Sequence, residues 1–193
     1  MFGDGIFTQE GQAWKTSRQI LRPQFHHRQY EDLEVFEDSV KELLEAITRE
    51  KTENDVIDLQ PLFFRFTLDT TTAFLFGESV HSLKAPESAG EQTFGDAFNT
   101  AQEFIAKRFR LLDLYWLIGG KTFRDACQKI NDFADKIIDI NLSRDAKAND
   151  RGKYVFLDSV AESTPDRAAL RGQIVNILAA GRDTTACLLS WTL

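Results

Sequence analysis

Ala180-Gly181-Arg182-Asp183-Thr184-Thr185 sits inside a stretch, Pro165 to Leu193, that contains no helix-breaking signal after its first residues. On a helix, Ala180, Gly181 and Thr184 fall within one turn, so two nearly absent side chains and one hydroxyl share a face. Such a face leaves room for a flat ligand. Thr184 can bond back to the Ala180 carbonyl, loosening the helix ladder beside space for a water or a diatomic molecule. Asp183 next to it can supply protons. The plainer alternative is that Ala180 and Gly181 permit close helix packing and Asp183-Thr184-Thr185 is a solvent-facing polar patch. Thr164 reads as the N-cap, with Pro165 at the first helical position and Asp166 in the first turn. No glycine cap or proline stop follows before Leu193, so the pattern predicts a chain cut partway along this helix.

Working back toward the N-terminus, the rest is also helical in pattern. Phe36, Val40, Leu43, Leu44 and Ile47 recur at three- and four-residue steps and predict an amphipathic surface helix. Gln60 to Gly77 is apolar on nearly every side, predicting a central buried helix stopped at Gly77. Val80 to Gly90 reads as a loop, and periodicity resumes through Phe94, Phe98, Ala101, Phe104 and Ile105. The apolar and aromatic Leu111–Ile118 and the pair Gly119-Gly120 then separate that helix from one through Phe123, Cys127, Ile130, Phe133 and Ile137. Ser143–Gly152 reads as a surface connection and Tyr154–Val160 as a short apolar helix. The expected fold class is mainly α, with minor strands at most, near Val56–Leu59.

Composition narrows the function. The chain has 193 residues, 42% apolar and 27% charged, enough for one domain with a sizeable core. Sixteen Phe against a single Met imply a core of rigid rings. Net charge is −7 and the Lys and Arg residues are scattered, so nucleic acid is not an expected partner. Cys127 and Cys187 are far apart without zinc-like spacing, which argues against a disulfide framework and for a reducing compartment. Met1 to Phe7 lacks a signal-peptide pattern, and no apolar run approaches the roughly 20 residues that cross a bilayer.

Trp14 and Arg18 stand four residues apart in a run, Gln12 to Leu21, that can be helical. Both are donors without acceptor capacity, and their joint target is an anionic oxygen such as a cofactor carboxylate. A cation–π pair on an exposed helix is the alternative. His26 and His27 are adjacent and point apart, and His81 lies in a loop-prone region, so none reads as a metal ligand. Cys127 and Cys187 read as packing residues.

Together these pieces resemble the cytochrome P-450 family of haem-thiolate monooxygenases. Trp14-Lys15-Thr16-Ser17-Arg18, followed by Arg22-Pro23-Gln24-Phe25, is similar to the family's Trp-x-x-x-Arg helix. Ala180 to Thr185 matches the oxygen-activation motif Ala/Gly-Gly-x-Asp/Glu-Thr-Thr at every position. Gln60-Pro61-Leu62-Phe63-Phe64-Arg65-Phe66-Thr67-Leu68-Asp69 and Phe74-Leu75-Phe76-Gly77-Glu78-Ser79-Val80 resemble the fungal branch that hydroxylates alkanes and fatty acids. The resemblance covers essentially the whole chain.

The resemblance implies a partial cytochrome P-450 domain over residues 1–193, lacking an N-terminal anchor region and the C-terminal haem-ligating half. The family's Glu-x-x-Arg pair and its Phe-x-x-Gly-x-x-x-Cys-x-Gly loop are not in the sequence. Neither Cys127 nor Cys187 stands in such a loop, so no metal ligand is assigned here. Carried over residue by residue, Trp14 and Arg18 would hold haem propionates, and Ala180 and Gly181 would make room over the porphyrin. Asp183 and Thr184 would relay protons to the oxygen being activated. Gly3 to Phe7, with Ile6 and Phe7 foremost, would border the substrate. The implied cofactors are haem b, dioxygen, and NADPH acting through a flavoprotein reductase. The implied partners are that reductase and a long-chain apolar substrate, with the full-length parent on the endoplasmic reticulum membrane. The alternative from another class is a non-catalytic helical fragment or interaction module.

Overall fold

In the computed structural model, residues 1–25, 34–51, 56–77, 79–84, 89–145, 156–164 and 166–193 are described. Two helices set the frame. Helix α3 (Leu59–Phe76) is capped by the Asp58 carboxylate, which accepts from Gln60 N at 3.1 Å, and stops at Gly77, whose φ of 72° is the left-handed conformation glycine tolerates. It is buried around most of its circumference, so its polar side chains must be satisfied internally. Thr67, Thr70 and Thr72 each donate to the carbonyl four residues back, at 2.9, 3.0 and 2.9 Å. Helix α7 (Arg167–Thr192) packs along α3 in the most extensive helix contact among the described residues.

The remaining described elements are α1 (Gly11–Leu21), a 3-10 turn (Arg22–Phe25), α2 (Glu34–Arg49), α4 (Ala89–Leu111), a 3-10 segment (Leu112–Leu117), α5 (Lys121–Asp145) and α6 (Phe156–Ser163). No strand occurs among the described residues: Val56 to Asp58 leads directly into α3 and Leu59 is already helical, so the minor strand expected there is absent. Helices α4 and α5 form a pair whose rings meet at Phe94–Phe133 (4.1 Å between centroids) and Phe104–Phe123 (5.4 Å). Phe156 of α6 packs on Phe25 and Phe74, both at 5.7 Å. Leu68, Leu75, Phe98, Ile130, Ile174 and Leu178 belong to the same buried core. No described helix is long and apolar enough to cross a membrane.

Three local expectations are corrected. The N-cap of α7 is Asp166, whose carboxylate accepts from Ala168 N and Ala169 N at 3.3 and 3.1 Å; Thr164 precedes the helix, and its buried hydroxyl finds no partner among the described residues. A carboxylate reaches two N–H groups where a hydroxyl reaches one, and the dipole favours its charge. On α2, Val40 and Leu44 face solvent, while Ser39, Glu42 and Ala46 turn inward. Glu42 is drawn in by an ion pair with Lys84 Nζ at 2.6 Å and by a contact with His81 Nδ1 at 3.0 Å, which turn the helix away from its apolar stripe. Cys187 is exposed rather than packed, whereas Cys127 does border the core. His26, His27, Pro165, residues 85–88 of the predicted loop, residues 146–152 of the surface connection, and Tyr154 lie outside the described residues.

The connection from α4 to α5 is fixed by Arg108, which donates to the Ile118 carbonyl at 2.7 Å and covers the Phe123 ring at 4.2 Å. Its 3-10 segment holds Leu112, Leu114, Tyr115, Trp116 and Leu117 out in solvent. Inside, Asp69 is fully buried and accepts from Ser82 N (2.8 Å) and Leu83 N (3.0 Å), tying the turn after α3 to the core. Burial raises its pKa from the ordinary carboxylate value, opposed by those two backbone donors.

Candidate active site

An open cavity of ≈ 830 Å³ lies between α1, α3, α7 and the N-terminal segment. Helix α7 supplies Ile177, Ala180, Gly181 and Thr185; α3 supplies Thr70, Thr71 and Phe74; α1 and its 3-10 extension supply Arg18, Leu21, Arg22 and Phe25. Ile6 and Phe7 close the N-terminal side. The surface is mainly apolar, as ligand pockets are, with guanidinium groups along one wall. Of the residues singled out from sequence, Ile6, Phe7, Arg18, Ala180 and Gly181 therefore share one cavity. Trp14, Asp183 and Thr184 do not line it.

Trp14 is one turn before Arg18 on α1, and the Arg18 guanidinium lies 5.5 Å from the indole ring, the cation–π geometry foreseen as the alternative. Arg18 has no carboxylate partner among the described residues, so its charge remains available to an anion on the cavity side. Thr184 is exposed, and its hydroxyl donates to the Ala180 carbonyl at 2.7 Å, the expected back-bond. Spent as a donor, Thr184 Oγ1 keeps its lone pairs as acceptors on the open side.

Gly181 has a packing role as well as a place on the cavity wall. A Cβ there would stand 2.6 Å from Thr71 Oγ1 and 2.9 Å from Thr71 Cγ2, so glycine is what allows α7 and α3 to approach so closely.

Asp183 points toward α4. Its carboxylate takes a charge-assisted bond from Arg182 Nη1 at 2.7 Å and a second from Gln102 Nε2. Sequence reasoning did not single out Arg182, yet it is only 3% exposed, and its two terminal nitrogens are bonded while its buried Nε finds no partner among the described residues. Asn99 Oδ1 accepts from both terminal nitrogens at 3.3 and 3.2 Å, and the Phe64 and Phe98 rings lie 4.9 and 5.2 Å from its guanidinium carbon. Burial lowers its pKa and the Asp183 carboxylate opposes that shift, which keeps the cation in place. The signal was available only as an arginine inside an apolar helix.

A family model described as Cytochrome P450 matches residues 1–193. The chain belongs to the cytochrome P450 family. It is 46% identical to a cytochrome P450 of Arthroderma benhamiae, over 99% of this chain and 39% of that protein. It is 42% identical to cytochrome P450 52A3-A of Candida maltosa, over 100% of this chain and 39% of that protein. A cytochrome P450 monooxygenase g430 of Fusarium is 39% identical over 99% and 37%. The chain therefore spans less than two-fifths of the length of these curated relatives. Membership makes it part of a monooxygenase family whose members hold haem, and the mainly helical architecture agrees with a partial fold of that family.

The residues present fit such a group. A flat macrocycle needs an apolar slot with a low wall, which Ala180 and Gly181 offer, and its carboxylates need cations, which Arg18 offers without a competing partner. No group of three or more His, Cys, Asp and Glu suited to a metal ion occurs among the described residues.

Proposed function

We propose that the full-length protein is a haem monooxygenase that inserts one atom of dioxygen into a C–H bond of a long-chain alkane or fatty acid. In this reading residues 1–193 are the N-terminal-to-middle part of its catalytic domain, and electrons come from NADPH through a flavoprotein reductase. Its place is the endoplasmic reticulum membrane, reached through chain outside this sequence. The observation that carries the proposal is the cavity bounded by the Ala180–Gly181 face, the Arg18 guanidinium, which has no carboxylate partner among the described residues, and the apolar pair Ile6 and Phe7. Relatives named as members of the 52A group, from Candida maltosa and Debaryomyces hansenii, support the choice of substrate class.

Arg18, with Trp14 beside it, would hold the haem carboxylates, and Ala180 and Gly181 would leave the space above the ring. Haem would supply the activation of dioxygen when bound. Thr184 Oγ1, its proton committed to the Ala180 carbonyl, would accept a hydrogen bond from a water or oxygen in the open space. Asp183 would take up and release a proton at its carboxylate once Gln102 or Arg182 yields its place. Ile6 and Phe7 would contact the hydrocarbon.

The rival reading, a non-catalytic helical module, draws on one observation: Leu188 and Trp191 on the last turns of α7 are 66% and 90% exposed, an apolar surface suited to an interface. Purification of the full-length polypeptide with haem, followed by the reduced carbon monoxide spectrum, decides between them. A thiolate-type Soret band together with hydroxylation of a saturated fatty acid or alkane is the expected result. Absence of that band overturns the oxygenase proposal.

A further inference from the structure

The N-terminal segment meets α7 through a polar seam that the reaction outlined above does not use. Asn176 is fully buried and Gln173 is 4% exposed, in a helix whose other inward positions are mostly apolar. An amide at such a position costs stability unless its groups are paired. Here they are paired to particular backbone atoms. Gln173 Oε1 accepts from Ile6 N at 3.1 Å, and Asn176 Oδ1 accepts from Phe7 N at 2.9 Å. Asn176 Nδ2 donates to the Phe2 and Gly172 carbonyls at 2.9 and 2.8 Å. Gln173 Nε2 donates to Ser17 Oγ at 2.6 Å, and that hydroxyl donates to Gln9 Oε1 at 2.5 Å.

Sterics enforce the same docking. Gly172 lies under the Asp4 backbone so closely that a Cβ would drive into its carbonyl, and a Cβ on Gly5 would drive into Asn176. Thr8 closes the segment on itself, donating to the Gly3 carbonyl at 2.7 Å while accepting from Gly5 N at 3.0 Å. The two N–H groups that α7 grips belong to the residues that face the cavity. Phe7 is 67% exposed, so packing holds it little; what is fixed is its backbone, through the N–H bonded to Asn176.

We propose that Gln173 and Asn176, with Gly172 beneath them, are positioning residues that fix the backbone of Gly3–Phe7 on α7 and thereby determine which carbons of a long apolar substrate Ile6 and Phe7 admit to the cavity. Gln173 also ties Ser17, the neighbour of Arg18, to the same seam, so one side chain sets the cofactor-facing helix and the substrate-facing segment in a common frame. The selectivity role rests on the oxygenase proposal; the docking itself does not.

Gly172→Ala in the full-length polypeptide is the test, because it keeps every hydrogen-bonding group of α7 and favours the helix while denying Asp4 its place. Gln173→Leu, which removes the acceptor for Ile6 N, is the second variant should the first not fold. Amide hydrogen exchange of Ile6 and Phe7 in haem-free protein is expected to rise by about tenfold or more, as an opened hydrogen bond requires. The Soret shift produced by a long-chain fatty acid is expected at about five- to tenfold higher concentration, the effect of one lost hydrogen bond. The hydroxylated positions are expected to spread along the chain, with the carbon monoxide band retained. Unchanged affinity and unchanged product positions in both variants overturn the proposal while leaving the oxygenase proposal standing. A missing band in the unaltered protein removes the oxygenase proposal and the selectivity role with it, and free exchange of the two amides there removes the docking as well.

Discussion

Substituting Gly181 by alanine adds one methyl group to the most intimate point between α3 and α7, and the cost can be worked from Thr71. Two of the three staggered positions on the Thr71 Cβ, those of Oγ1 and Cγ2, lie 2.6 and 2.9 Å from the new methyl. A threonine fills two of its three positions in any rotamer, so no rotation clears both, and the helices must part. Overpacking of this kind costs about 1–3 kcal/mol. Replacing glycine inside a helix returns about 1 kcal/mol. The expected net loss for Gly181→Ala is therefore ~0–2 kcal/mol. Thr71→Ala in the same background removes both offending atoms and leaves only the Cβ, 3.3 Å away. The double variant of the full-length polypeptide should thus be more stable than the sum of the singles by the relieved clash, ~1–3 kcal/mol, read as thermal unfolding midpoints in a double-mutant cycle. Additivity within about 0.5 kcal/mol would refute the packing account. Haem content gives a second axis: if the alanine methyl also narrows the slot over the ring, Thr71→Ala restores stability without restoring haem.

Thr184→Ala should leave substrate binding intact and lower the product formed per NADPH consumed; equal coupling in variant and parent would remove Thr184 from proton handling. Arg182→Leu leaves Asp183 with Gln102 alone and takes the buried cation away from its carboxylate, so a loss of ~3 kcal/mol is expected from thermal or denaturant unfolding. Asp69→Asn presents an amide NH2 to one of two backbone donors, Ser82 N or Leu83 N, and should cost ~1–3 kcal/mol at neutral pH. Because the folded protein holds the Asp69 proton more tightly than the unfolded chain, the contribution of Asp69 falls as pH rises from the unfolded carboxylate value through the raised folded one. The stability difference between parent and Asp69→Asn should shrink correspondingly on going up through that window, and a difference that widens would show the sign to be wrong.

Local chemistry made much of the fold legible. Gly77 announced the end of α3, and the Phe steps of α4 and α5 announced their shared core, because each signal acts within a few residues. The start of α7 was misplaced by two residues because Thr164 and Asp166 both satisfy the local rule, and only the geometry of two N–H groups chooses between them. Val40 and Leu44 misled because the orientation of α2 is set by His81 and Lys84, which are distant in sequence from Glu42. Of the candidate site, the places of Ala180, Gly181 and Arg18 on the cavity wall were readable as spacings. Gln173 and Asn176 were not, since their partners Ile6 and Phe7 stand 167 and 169 residues away and nothing local marks a buried amide as a backbone acceptor.

The tasks of α7 are sorted around one cylinder: 172, 173 and 176 hold the N-terminal segment, 177, 180 and 181 face the cavity, and 182 anchors in α4. Inserting or deleting one residue between Gly172 and Arg182 would turn everything beyond it by about 100° and shift it by about 1.5 Å. Each later side chain would then address the wrong neighbour. The number of residues between Gly172 and Arg182 is thus as much a part of the site as the glycines and amides themselves.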